Sequence, residues 1–187
     1  MTVTIKITTE MQDAAYKFAN EIIKSNNQYS RLSALSGQEL ERTYVGKLGE
    51  LVFLSWLKDN GYSPDVTGML DIFEGQTNVD EFDFQLKNGD SVDIKTGYQN
   101  NHRRLMVNHD QLVKIPKNLY VGVKLNGVVT NKKTSQVDLK SFSSATIFGF
   151  ATHEDLMTQT SRDWGYARAH AIQYDLLQDI NLLLPHF

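Results

Sequence analysis

Asp83, Asp93 and Lys95 are the residues whose types and spacing point most directly to chemistry. Asp93 and Lys95 stand two apart in SVDIKTG (91–97), and side chains at i and i+2 of a strand leave the same face. Upstream, FDFQL (82–86) is joined to that segment by Lys87-Asn88-Gly89-Asp90, and Asn-Gly between two alternating runs signals a tight hairpin. Positions 83 and 93 are symmetric about 88, so close pairing brings their carboxylates level. Two adjacent carboxylates without an arginine repel each other, and sharing a divalent cation keeps both ionised. Such hard oxygen donors suit Mg²⁺ or Mn²⁺. A lysine beside the cation can position or help deprotonate a water attacking phosphorus, or meet the charge developing in the transition state.

These residues need a scaffold, and the pattern around them supplies one. A helix over 10–24 is expected from Met11, Ala14, Ala15, Phe18, Ala19 and Ile22, with Thr9 and Gln12 as a capping-box pattern. A second, over 37–59, carries Leu40, Tyr44, Leu48, Leu51, Val52 and Trp56 on one side and ends at Asn60-Gly61. Gly46 and Gly49 interrupt it, each at a cost of up to ~1 kcal/mol relative to alanine, which predicts close approach by a neighbouring strand or ligand beside Glu50. After the hairpin come strands at 104–107 and 119–125, with a short helix between them opened by Asn108 and stopped near Pro116. Residues 127–144 read as a polar loop or flap, 146–151 as a strand, and Thr152 with Asp155 as the cap of another short helix. Beyond 162 the pattern is ambiguous between a strand near 170–174 and a helix over YDLLQDINLLL. The order predicts an α/β fold, a mixed central β-sheet flanked by α-helices. It divides into N-terminal helices (1–60), a hairpin and sheet core (61–151) and a helical tail (152–187) within one domain of 187 residues.

Composition excludes several rival chemistries. The chain has no Cys, hence no disulfide scaffold, thiol nucleophile or cysteine-ligated metal. It lacks a GxxxxGK[ST] loop, so no nucleotide cofactor is expected, and lacks a G-x-S-x-G elbow for acyl transfer. No apolar run reaches the ~18 residues of a membrane span, which makes a cytoplasmic protein without a membrane partner the expectation. The net charge of −3 argues against a generally basic coat for nucleic acid. Its distribution says more. Residues 50–93 hold ten acidic against two basic side chains, a net of −8, and residues 99–140 hold eight basic against two acidic, a net of +6.

With Glu50 on the preceding helix, Asp83 followed by Asp93-Ile94-Lys95 resembles the signature of the PD-(D/E)XK nuclease superfamily. The resemblance covers roughly 37–126, and Phe82 stands where many members have proline. It implies a restriction-endonuclease-like core and Mg²⁺- or Mn²⁺-dependent hydrolysis of DNA phosphodiesters. Glu50, Asp83 and Asp93 would be the metal ligands, surrounding one point, and Lys95 the residue serving water. Asp80 and Glu81 are secondary candidates for another metal. Thr96 and Gln99 are candidates for contact near the scissile phosphate, and Arg103, Arg104, Lys114, Lys117 and Lys124 for the DNA backbone, extended by Lys132 and Lys133. Tyr98 and His102 are candidates for contact with a base. His109, His153, His170 and His186 have no metal-ligand spacing, and Trp56 and Trp164 read as packing residues. A palindromic cutter would need a homodimer, for which no element is evident. Restriction, repair, recombination and phage replication all remain open as settings. So does a catalytically inactive nuclease-fold module that binds DNA or protein; in that case the carboxylates are solvent-face residues and Lys95 is merely Asp93's ion partner.

Overall fold

The structure is a computed structural model and describes residues 1–24, 38–71, 83–130, 137–165 and 167–187. Its elements in order are β1 (Val3–Lys6), α1 (Thr9–Lys24), α2 (Glu39–Asp59), β2 (Phe84–Gln85), β3 (Ser91–Gly97), β4 (Arg104–Asn108), α3 (His109–Lys114), β5 (Leu119–Asn126), β6 (Val129–Thr130), β7 (Val137–Asp138), β8 (Ser144–Thr152), α4 (His153–Met157), β9 (Arg162–Asp163) and β10 (Arg168–Gln173). The fold is mixed α/β. A five-stranded sheet in the order β1-β8-β5-β3-β2 is antiparallel except for the β3–β5 pair. A second sheet, β4-β10-β9, and a small β6–β7 ribbon complete it. Among the described residues no helix is long and apolar enough to cross a membrane.

β5 explains the layering. Leu119, Val121, Val123 and Leu125 join one core cluster with Leu48, Val52, Phe53, Trp56 and Leu57 of α2, whereas Tyr120, between them, joins Leu105, Val107, Leu112 and Ile172 on the opposite face. A strand buried on both faces reads as a continuous apolar run, as LYVGVKL does. The first face therefore packs against α1 and α2, and the second against β4, β10, α3 and α4.

Local differences from the sequence reading have physical causes. Thr8, not Thr9, caps α1, accepting from the Met11 N–H at 3.3 Å, while the Gln12 amide donates to Lys140 O and Phe142 O. The alternating segment VTIK pairs with β8 as an edge strand that the sequence reading omits. The predicted flap at 127–144 contains the β6–β7 ribbon and a 3-10 turn at Leu139–Ser141. The tail contributes strands β9 and β10, then 3-10 stretches at Tyr174–Leu176 and Ile180–His186, where the sequence suggests a largely helical segment. Between these stretches Gln178 pairs with Phe150 of β8 through two backbone hydrogen bonds of 3.1 and 2.9 Å, and Pro185 rules out α-helical pairing at its own nitrogen. This crossing needs Gly149, at φ 146°, where a side chain would sit 2.9 Å from Leu177 Cβ and overlap Gln178 O. The end of the tail then docks beneath the hairpin. Phe187 packs edge-to-face on Phe53 and Phe84, with ring centroids 5.9 and 6.5 Å apart, and His186 O accepts from Lys87 N–H at 2.9 Å.

Candidate functional site

The hairpin register is the one the Asn-Gly turn predicts: Phe84 faces Val92 and Gln85 faces Ser91, which sets Asp83 opposite Asp93. Strand β2 is only two residues long, so the β3 ladder continues past it on a side chain. Asp83 N–H donates to Val92 O at 3.1 Å, and Asp83 Oδ2 accepts from Ile94 N–H at 2.6 Å. Asp83 is thereby fixed at the sheet edge between two other carboxylates. Burial, then the negative charges of Glu50 and Asp93, push its carboxyl well above the usual range, against the opposing pull of the Ile94 N–H and Lys95.

Asp93 is 8% exposed and shares its face of β3 with Lys95, to which Oδ2 is ion-paired without a hydrogen bond of normal geometry. Gln111 of α3 donates to Asp93 Oδ1 at 3.4 Å. Glu50 reaches the group from α2 and is held by Lys47, 7% exposed, whose Nζ lies 2.5 Å from Glu50 Oε2 and 2.8 Å from Met69 O, 4.4 Å from the Phe18 ring centroid. Gly49 does what a helix glycine there is expected to do. A Cβ at 49 would overlap Thr96 Oγ1 and lie 2.9 Å from Thr96 Cβ, so the missing side chain lets α2 settle on β3 and bring Glu50 close. Gly46 differs: among the described residues nothing lies within 4 Å of where its Cβ would be.

The three carboxylates are thus electrostatic neighbours. Among the described residues, however, no three His, Asp or Glu side chains already form a metal-holding group. Lysine ammonium groups occupy Asp93 and Glu50 instead. The donor chemistry nevertheless suits a hard cation: carboxylate oxygens, one of them buried without a hydrogen bond among the described residues, around an aspartate whose ionisation is opposed.

Lys95 opens onto a cavity of about 280 Å³ whose wall includes Arg42, His102 and Arg104. Arg42 escaped the sequence reading because it precedes the basic block, yet it lies two helical turns before Glu50 with Gly46 between them, a spacing that places all three on one face of α2. Gly97 accommodates His102 as Gly49 accommodates Thr96: a Cβ at 97 would lie 2.8 Å from His102 Cε1. Burial, then Lys124, lower the His102 pKa, and burial, then Arg103, lower that of Lys124. Lys124 Nζ donates to Asn100 O at 3.4 Å. Arg103 is exposed, and the Arg104 guanidinium lies 5.4 Å from the Trp164 ring centroid.

Other sequence candidates are placed differently. Thr96 Oγ1 is buried against α2 without a hydrogen bond among the described residues, and Gln99 is exposed in the turn after β3. Lys114 is exposed and pairs with Asp110 at 3.3 Å, while Lys117 is half-buried beside Tyr120, whose hydroxyl accepts from its backbone N–H. Tyr98 donates to Glu41 and packs on Phe142; burial, then Glu41, push its hydroxyl up to about 12. His109 and His170, 61 positions apart, stack with Nδ1 and Nε2 2.9 Å apart, a pairing that no local spacing announces. Trp56 lies in the core, 2% exposed. Asp80, Glu81, Lys132 and Lys133 lie outside the described residues.

No family model, curated protein or solved structure matches the chain. The geometry and the chemistry of its groups therefore carry the functional reading.

Proposed function

We propose that this protein is a metal-dependent DNA endonuclease with a restriction-endonuclease-like core, in which Glu50, Asp83 and Asp93 hold Mg²⁺ or Mn²⁺ and Lys95 serves the attacking water. The carrying observation is two neighbouring like-charge groupings, an acidic one that Lys47 and Lys95 offset only in part and a basic one beside the Lys95 cavity. On one side Asp83 is forced toward its neutral form by burial, Glu50 and Asp93. On the other, Lys124 is disfavoured as a cation by burial and Arg103, and His102 by burial and Lys124. A divalent cation relieves the first and a polyanion the second, and a phosphodiester backbone is the polyanion that nuclease chemistry requires.

When bound, the cation supplies positive charge at the phosphate and lowers the pKa of water there. The chain's own groups do the rest. Asp93 and Lys95 project together from β3, so the ammonium can donate a hydrogen bond to the incoming water or a non-bridging phosphate oxygen. Lys47 orients Glu50, and Asp83 is fixed through Ile94 N–H. Arg42, His102 and Arg104 surround the Lys95 cavity, where they would anchor the strand by its phosphates.

The Asp93–Lys95 ion pair favours a second reading, a nuclease-fold module that binds DNA or protein without turnover. One experiment separates the two. Supercoiled plasmid and single-stranded DNA are incubated with protein and Mg²⁺, Mn²⁺ or EDTA. Cleavage should require the metal and fall by roughly 10²–10⁴-fold in Asp93→Ala and Lys95→Ala. Absence of metal-dependent cleavage of either DNA, or variants as active as wild type, would discard the enzymatic reading.

A further inference from the structure

A larger cavity, of about 470 Å³, lies on the far side of Arg104 and shares Arg104 and Ala169 with the Lys95 cavity. Its volume falls within the roughly 300–1,000 Å³ typical of small-ligand sites. Apart from Arg104, it is built from elements the metal chemistry does not use: β8, α4, β9, β10 and the segment after them. Its wall combines the Trp164 ring under the Arg104 guanidinium, a second cation at Arg162, and the side-chain amides of Gln159 and Gln173. Arg162 pairs with no carboxylate among the described residues, and Gln173 is exposed at the end of β10. The Trp164 indole N–H is buried without an acceptor among the described residues, a polar group left unsatisfied where native structures leave few.

We infer that this cavity receives one unpaired nucleobase of the DNA strand whose neighbouring phosphate lies at Lys95. A stacked guanidinium and indole form a platform for a planar base, and amides present donors and acceptors to its edge. Arg104, common to both cavities, joins the platform to the phosphate site, so one strand can occupy both. A base reaches such a pocket only after leaving the helical stack, which is least costly where it is already unpaired. The substrate class is then DNA with a single-stranded, bulged or mismatched position. The inference rests on the nuclease reading only for the location of the scissile phosphate.

The test is a binding measurement in EDTA with the full chain. Three probes are compared: a labelled, fully paired duplex, the same duplex with a single 2-aminopurine bulge, and free 2-aminopurine nucleotide. The bulged duplex should bind roughly tenfold or more tightly than the paired one, from the contribution of one stacked base. Binding should also change the fluorescence of Trp164, the protein's other tryptophan, Trp56, being buried in the core. Trp164→Ala and the surface change Gln173→Ala should each reduce the bulge preference, with Trp164→Phe retaining most of it. Equal binding of the two duplexes, or an unchanged preference in both Trp164→Ala and Gln173→Ala, would overturn the inference, as would free nucleotide binding as tightly as bulged DNA. Preference without metal-dependent cleavage would leave this inference standing and remove the nuclease reading, and cleavage without preference would do the reverse.

Discussion

Asp83 concentrates the cost of the proposed site in one side chain. Its carboxyl is held above the usual range, so over the window between its ordinary value of ~3.9 and its raised native value the folded state keeps a proton that the unfolded state has lost. Stability therefore falls as pH rises through that window, and above it the ionised Asp83 remains a penalty on the fold. In EDTA, Asp83→Asn should raise the melting temperature at neutral pH and flatten its pH dependence, since the amide oxygen can still accept from Ile94 N–H. The gap should close as pH falls toward the ordinary carboxylate range. Mg²⁺ should raise the melting temperature of wild type but not of Asp83→Asn, and the variant should lose cleavage. A less stable Asp83→Asn in EDTA at neutral pH would contradict this account, and scanning calorimetry reads it directly.

At the scale of elements, the two α2 glycines separate packing from access. Gly49→Ala forces a methyl group into Thr96 and should destabilise the fold by about 1–3 kcal/mol, with partial recovery in Gly49→Ala/Thr96→Ala. Gly46→Ala meets open space and should stabilise by about 0.5–1 kcal/mol in chemical denaturation. If DNA crosses between Arg42 and Glu50, the same change should weaken cleavage even as it strengthens the helix. The sequence already contained much of this geometry. The Asn-Gly turn dictates that 83 faces 93, the Asn108 and Thr152 caps form as their residue types predict, and alternation puts Asp93 and Lys95 on one face. Other features depend on partners distant in sequence. Strand β10, one of the two readings the sequence left open near 170–174, is settled by pairing with β4 across more than sixty positions, and β9 is two residues long, too short to produce a local period. Arg42 acquires its meaning only when α2 docks on β3, and the Trp164 platform only when β10 has placed it beside Arg104.

For the molecule as a whole, the basic grouping of Arg103, Lys124 and His102 gathers near the C-terminal end of β3, where Lys124 of β5 stands opposite Gly97, four residues beyond Asp93. DNA affinity should fall steeply with salt. Arg103→Ala and Lys124→Ala should each reduce the slope of log affinity against log salt by about 0.7–0.9, whereas Lys114→Ala, already neutralised by Asp110, should change it less. Equal slopes for all three variants would place the DNA elsewhere on the surface.

The docking of Phe187 and His186 under the hairpin also sets an order of events. The turn that presents Asp83 gains its buttress of Phe53, Phe84 and Phe187 only when residues about a hundred positions downstream arrive. A nascent chain emerging from the ribosome can form α1, α2 and the local hairpin long before that contact exists. The acidic trio is then tightened late, when synthesis has passed the basic cluster and the Trp164 platform. If the proposed cleavage site is assembled in that order, it acquires its means of holding substrate before its means of cutting it.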